Sequence, residues 1–200
     1  MAITSPFGLI PDEILSGASD LHVHTYFIPA ADTNLYRLYD PVKLTNTAST
    51  EGVASCILAG SNDALLGSII GMSLTSPYSN TALQATALPL QLPWPLPATT
   101  KQQGYYVLVA DDPGQIFRIA DDGNASWAAG NVNNTCSLTI GATVQATSTT
   151  SLLYSSASTT NTLNIKIMGL APIQNNQFGG GGVWRCKINN HVYGNIVAGI

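Results

Sequence analysis

The stretch that most constrains the fold is residues 104–123, GYYVLVADDPGQIFRIADDG. Two runs rich in Val, Ile, Tyr and Phe, 105–110 and 115–120, are too short for stable helices and fit strands. Asp111-Asp112-Pro113-Gly114 separates them, and Asp121-Asp122-Gly123 follows. Proline presets φ and glycine supplies φ > 0, which predicts a tight connection at 111–114 and a turn after it. Paired aspartates invite a Ca²⁺ reading. The spacing of an EF-hand loop is absent, however, and acidic residues are common in turns, so a structural turn is expected.

The same pattern continues along the chain. LHVHTYFIPA (21–30) alternates and is rich in β-branched and aromatic residues, as a strand requires. NLYRLYDPVKL (34–44) reads as a second strand, broken at Asp40-Pro41. VASCILAG (53–60) and LLGSIIGMSL (65–74) are short apolar runs bounded by Gly and Ser, suited to buried strands. LNIKIMGL (163–170) puts Leu163, Ile165 and Ile167 on one face, and VWRCKINNHVYGN (183–195) alternates into a last strand.

Between these runs, 77–104 carries Pro77, Pro89, Pro93, Pro95 and Pro97, which neither a helix nor a central strand accommodates. It reads as a proline-rich excursion whose Trp94 and Leu96 dock on something. Residues 144–162 are Ser/Thr-rich, and APIQNNQFGGGG (171–182) reads as a flexible connection. Residues 1–20, with Pro6, Gly8, Pro11 and Gly17, show no period and read as an extended arm. The expectation is eight to ten short strands and no helix longer than two turns. That is an all-β fold: a single β-barrel or β-sandwich domain of short antiparallel strands over 21–200, with an extended N-terminal arm over 1–20.

Composition narrows the function. Charged residues are 9% of the 200, against about a quarter in ordinary domains, while hydrophobic residues are 45%. A core can form, but the surface must be Ser, Thr, Asn, Gln and Gly, which suits extensive contact with other protein or a secreted or particle-bound life. The net charge is −4, and the seven basic residues (Arg37, Lys43, Lys101, Arg118, Lys166, Arg185, Lys187) are scattered in sequence. No phosphate-neutralising stripe is visible, so no nucleic-acid partner is expected. Cys56, Cys136 and Cys186 form no Cys-x-x-Cys pair; three buried thiols are expected, with one disulfide plus a free thiol as the alternative. The start has neither a basic n-region nor an apolar h-region, and no apolar run reaches ~20 residues, so neither signal peptide nor membrane span is expected. Glycosylation triplets at Asn124 and Asn133 come with no sign of a secretory route.

DLHVHT (20–25) is the one stretch that looks catalytic. An i, i+2 spacing puts His22 and His24 on one strand face, as a metal pair needs. The hexapeptide resembles the opening strand of the PHP and amidohydrolase families. Their β/α barrels require further ligands on later strands, and this chain has one other histidine, His191, and no βα alternation. Cupins also use His-x-His, but their first motif needs a Glu where this chain has Ile28 and Pro29. HVYGN (191–195) mimics the end of their second motif without its upstream Pro-x-Gly. There is no Gly-x-Ser-x-Gly elbow or Walker loop, and FGGGGVW leads into a β pattern rather than a helix N-terminus. With glutamate only at Glu13 and Glu51, acid–base machinery is hard to assemble. Neither enzyme, metal nor cofactor is expected.

Three segments carry a wider resemblance. SPFGLIPDEILSG followed by HTYFIPAADTNLYRLYDPVKL is similar to the opening of a family of tailed-bacteriophage capsid decoration, or cement, proteins. Its members begin Pro-(Phe/Tyr)-Gly-Leu-x-Pro and pass through a Tyr-x-Ile/Val-Pro-Ala strand. YYVLVADDPGQIFRIADDG resembles the family's Val-x-x-Asp-Asp-Pro-x-x-x-Phe-x-Ile segment. LNIKIMGLAPIQNNQFGGGGVWRCKINNH resembles its Ile-x-Gly-Leu…Val-Lys-Ile-Asn-x-His close. The departures are the prolines at 89–97, less acidic turns towards the C-terminus, and Asn175-Asn176 where an acidic residue often precedes the Asn.

The resemblance implies a structural virion protein on the capsid exterior. Its partners would be the major capsid protein and its own copies in a homotrimer, with no membrane involved. An arm at 1–20 would lie across a neighbour and order on assembly. Phe7, Leu9, Ile10, Trp94 and Leu96 would be the capsid or subunit contacts, and many modest contacts would sum on a symmetric shell. The alternative is a tail, fibre or host-binding adhesin module of a virion.

Overall fold

The computed structural model describes residues 5–16, 21–73, 101, 104–142 and 145–194. Among them the chain forms β1 (Ile10–Ile14), β2 (Val23–Ile28), β3 (Pro41–Ala48), β4 (Ala54–Leu58), β5 (Gly67–Ser73) and β6 (Tyr105–Ala110). β7 (Gln115–Ala120), β8 (Thr135–Cys136), β9 (Leu138–Thr139), β10 (Ser151–Leu152), β11 (Ile165–Leu170) and β12 (Val183–Ile188) follow. Two 3₁₀ turns of three residues each are the only helical pieces described. The fold is all-β, as the alternating patterns predict.

The strands divide between two bodies. β2-β4-β3-β5-β6 close into a barrel, because β2 pairs with β4 on one side and β6 on the other. The β2–β4 pair is parallel, a departure from the antiparallel expectation. β1-β7-β12-β11-β8 form an open sheet, with a small β9–β10 ladder beside it. The 111–114 connection is tight, but it does not make a hairpin: β6 belongs to the barrel and β7 to the sheet. The Gln115 N–H donates to the Asp112 carbonyl (2.9 Å) and the Gly114 N–H to Asp112 Oδ1 (2.6 Å), so the aspartate's own side chain shapes the corner. The positive-φ glycine of this region is Gly123 (φ 78°), not Gly114.

Each body has its own core. Ile28, Val42, Cys56, Leu66, Ile69, Val107 and Val109 fill the barrel. Phe117, Ile119, Ile165, Ile167, Trp184 and Cys186 line the inner face of the sheet against Leu9, Trp127, Leu138 and Leu152. β5 serves both: Ile69 points into the barrel while its neighbour Ile70 packs on the second core, the alternation a shared wall requires. Trp127 and Trp184 pack as a tilted pair, centroids 5.2 Å apart and ring planes at 46°, which adds about 1 kcal/mol to what their burial contributes. Cys56, Cys136 and Cys186 are buried free thiols, and burial pushes all three well above the ordinary thiol range.

The expected N-terminal arm needs correcting. Residues 10–14 are the edge strand β1, paired with β7 from Ile10↔Arg118 to Ile14↔Gln115. Leu9 is fully buried in the second core, so it contacts the chain's own interior rather than a partner. Gly8 makes this entry: at φ 81°, with its N–H on the Thr150 carbonyl (3.1 Å), it sits where a Cβ would meet the Tyr39 carbonyl at 2.4 Å. No motif announced β1, because a five-residue edge strand with two carboxylates has no apolar period to read. The expected second strand also starts later, at Pro41, the position in a strand where proline is tolerated.

Candidate functional site

Antiparallel pairing sets Val23 opposite Ala110, so the start of β2 lies beside the end of β6 and the aspartates that follow it. His22 Nδ1 meets Asp112 Oδ2 at 2.8 Å, and His24 Nδ1 meets Asp111 Oδ1 at 2.8 Å. Two residues on, the Tyr26 hydroxyl donates to Asp111 Oδ2 (2.5 Å). The rings of His22 and His24 remain largely exposed, whereas Asp111 is buried. Burial opposes the charge on Asp112, but the Gly114 N–H and His22 together hold its carboxyl below the usual value. Burial and the bond to Asp111 push the Tyr26 phenol far up, so it serves as a donor.

The third histidine arrives from the far end of the chain. The Leu65 N–H donates to the Asn190 carbonyl (2.8 Å) and the Val192 N–H to the Leu65 carbonyl (2.9 Å), which fixes His191 beside the aspartate corner. His191 is buried, and its Nδ1 accepts the Tyr193 N–H (3.0 Å), which assigns the ring proton to Nε2. Among the described residues, Nε2 is buried without a hydrogen-bond partner. All three histidines of the chain therefore gather at one aspartate pair. Among the described residues, no group of three or more His, Cys, Asp or Glu side chains is arranged to hold a metal ion. The cluster ties the start of β2 and the 190–193 segment to the corner that leads from barrel to sheet, by hydrogen bonds.

Burial pulls His191 below its ordinary value of 6.5, only partly opposed by Asp111 and Asp112. The sign of the pH effect follows by linkage. Below about pH 6.5 the unfolded chain takes up a proton that the folded chain refuses, so stability falls as pH drops through that value and levels off below the folded pKa. Thermal midpoints of wild type and His191→Gln, measured from pH 8 to pH 5, will run parallel above about pH 7.5 and diverge below about 6.5, with the wild type falling more steeply. Parallel curves throughout would remove His191 as the source.

The second aspartate pair is also spent within the fold. Asp121 Oδ1 accepts the N–H groups of Gly123 (2.9 Å) and Gly181 (2.8 Å); Oδ2 accepts those of Gly182 (2.9 Å) and the Trp184 indole (3.2 Å). Asp122 accepts from the Trp127 indole (2.9 Å) and the Tyr154 N–H (2.8 Å). The glycine run expected to be a flexible connection is thus a cradle, and the anion it holds is the chain's own Asp121. Gly180 is required there, since a Cβ would lie 2.2 Å from the Gly123 carbonyl.

The expected contact residues separate. Phe7 and Ile10 are half-buried and line a groove with Arg118, Ile173 and Val183. Leu9 is core, as described above, and Trp94 and Leu96 lie outside the described residues. Among the described residues, the most exposed large apolar side chains are ones the sequence did not single out, including Leu15 (57%), Tyr193 (56%), Phe178 (46%) and Ile173 (41%). They fall at element ends and in turns, where periodicity carries no signal.

Barrel, sheet and these hydrogen-bonded corners define an all-β protein whose polar clusters join its own parts. No protein-family model matches the chain, and no curated protein or solved structure matches it.

Proposed function

We propose that this chain is a structural virion protein that binds the outer surface of a tailed-phage capsid and cements neighbouring major capsid protein subunits against the pressure of packaged DNA. The observation that supports this most is spatial. The three segments resembling the decoration family lie far apart in sequence yet build one contiguous framework. The first supplies β1, β2 and the start of β3, the second β6 and β7, and the third β11 and β12. These pair as β1-β7-β12-β11 and as β2-β6, so the family-like residues form the joint of the two bodies. A charge-poor surface with exposed Leu15, Ile173, Phe178 and Tyr193 suits contact with other protein. Clamping requires no catalytic step, and trimers at local three-fold positions suit a symmetric shell.

Reconstruction of the phage particle by electron microscopy tests this. The expected result is the barrel-and-sheet density on the head exterior in many symmetric copies, with heads stripped of the protein losing their DNA at lower temperature. Density on the tail or fibres alone would favour the adhesin alternative and overturn the proposal.

A further inference from the structure

One side of the 171–182 loop is taken up by Asp121, but its outer side is open. There Asn175, Gln177, Phe178, Gly179, Gly180 and Gly181 wall a cavity of about 240 Å³. No lining residue carries a charge. The wall consists of side-chain amides, bare peptide groups and one aromatic ring.

The loop is held in shape where the cavity forms. Asn176 Nδ2 donates to the Ala171 (2.9 Å) and Val183 (2.7 Å) carbonyls, and its Oδ1 accepts the Val183 N–H (3.0 Å). These bonds pin the two ends of the loop together. The Gly179 N–H donates to the Trp127 carbonyl (2.8 Å), and Asp121 holds the Gly181 N–H from behind (2.8 Å). Gly179 (φ 108°) and Gly181 (φ 86°) adopt conformations that side chains rarely allow, so the wall they build is backbone open to close approach. A site shaped before its ligand arrives loses little binding free energy to ordering.

Phe178 supplies the apolar element. Its ring packs on Trp184 with centroids 5.8 Å apart and planes at 48°, and Trp184 is itself fully buried. Phe178 nevertheless stays 46% exposed. A ring backed by a buried indole and open to solvent is a stacking platform. Beside it Gln177 is exposed, and its amide offers two donors and an acceptor.

These properties select a ligand class. An ion of either sign finds no counter-charge in the lining. An extended peptide needs a strand edge or a row of side-chain pockets, and a loop with one aromatic ring offers neither. A pyranose ring matches each element. Its C–H face stacks on an aromatic ring, and its hydroxyls both donate and accept, as amides and peptide groups do.

We infer that the outer cavity of the 171–182 loop is a binding site for a neutral saccharide, with Phe178 stacking on the sugar ring and Gln177 and the glycine peptide groups meeting its hydroxyls. The cavity is walled by a single chain, so the inference does not rest on the capsid reading. On a particle carrying many copies, weak single sites would sum to a firm hold on a glycan-bearing surface.

Saturation-transfer NMR on the purified full chain tests this, with the methyl glycosides of glucose, galactose, mannose, rhamnose and N-acetylglucosamine as probes. Glucuronic acid and trialanine represent the other ligand classes. At least one neutral glycoside should receive saturation at its ring C–H protons and bind with a Kd of about 1 mM. Phe178→Leu keeps apolar volume but loses the ring; it should weaken that binding about tenfold, while Phe178→Tyr retains it. Gln177→Ala should weaken binding about fivefold with an unchanged thermal midpoint, because the residue is exposed. It carries the test should Phe178→Leu fail to fold. Leu15→Ala, at a comparably exposed apolar residue beside Gly114, should bind as wild type, which separates a site from surface stickiness. No transfer to any neutral glycoside overturns the proposal, as does transfer unchanged in both Phe178→Leu and Gln177→Ala. Stronger transfer to glucuronic acid or trialanine overturns the ligand class. The capsid reading stands or falls separately, on the particle reconstruction.

Discussion

Removing residues 1–16 will unfold the protein or lower its thermal midpoint by about 10–20 °C. A detachable arm would leave the midpoint almost unchanged. The size of the effect follows from what the segment contributes. Leu9 is fully buried in the sheet core, and replacing such a leucine with alanine alone costs about 2–5 kcal/mol. Ile14 is almost as deeply buried, and among the described residues β1 is the strand that pairs with the outer edge of β7. Without it the ladder groups of β7 and the like-charged Arg118 and Arg185 lose Asp12 and Glu13 together. The summed loss exceeds about 5 kcal/mol, comparable to the whole stability of many domains. Circular dichroism melts of wild type, Leu9→Ala and the truncated chain will rank in that order. A truncated chain melting within a few degrees of wild type would restore the arm.

Asp121→Ala will cost about 4 kcal/mol or more, read as a lower urea midpoint with an unchanged slope. The carboxylate is 3% exposed and satisfies four donors, one from the turn at Gly123 and three from the 181–184 segment. Alanine leaves those N–H groups buried without partners, and each carries a penalty of about 1–3 kcal/mol where water cannot enter. Asp121→Asn should lose less, since it keeps one acceptor oxygen but turns an amide NH₂ towards other donors. A loss below about 1 kcal/mol for the alanine variant would mean that the glycine cradle holds its shape without the anion.

What the sequence made legible was alternation. β2, β4, β5, β6, β7, β11 and β12 all fall on runs where apolar and β-branched residues recur, because a buried strand face needs them. The pairing of those strands was not legible. GYYVLVADDPGQIFRIADDG has the local chemistry of a hairpin, yet its halves belong to different bodies. Both local strand propensities are satisfied either way, and only the distant partners β2 and β12 decide. The site was legible by residue type but not by role. DLHVHT and the Asp-Asp turns stood out, but their mutual use across about ninety residues of sequence is a tertiary fact.

The edge strand has a consequence for biosynthesis. Glu13 and Gln115, hydrogen-bonded in the folded protein, are 102 residues apart. A ribosome emits the first segment long before its template exists, so Leu9 and Ile14 wait in solvent until β7 has left the exit tunnel. Sequence-distant pairing of this kind slows folding and prolongs the interval in which unsatisfied apolar groups meet other chains. Asp12 and Glu13, set between those two residues, give the waiting segment a negative charge that keeps nascent copies apart until each finds its own sheet.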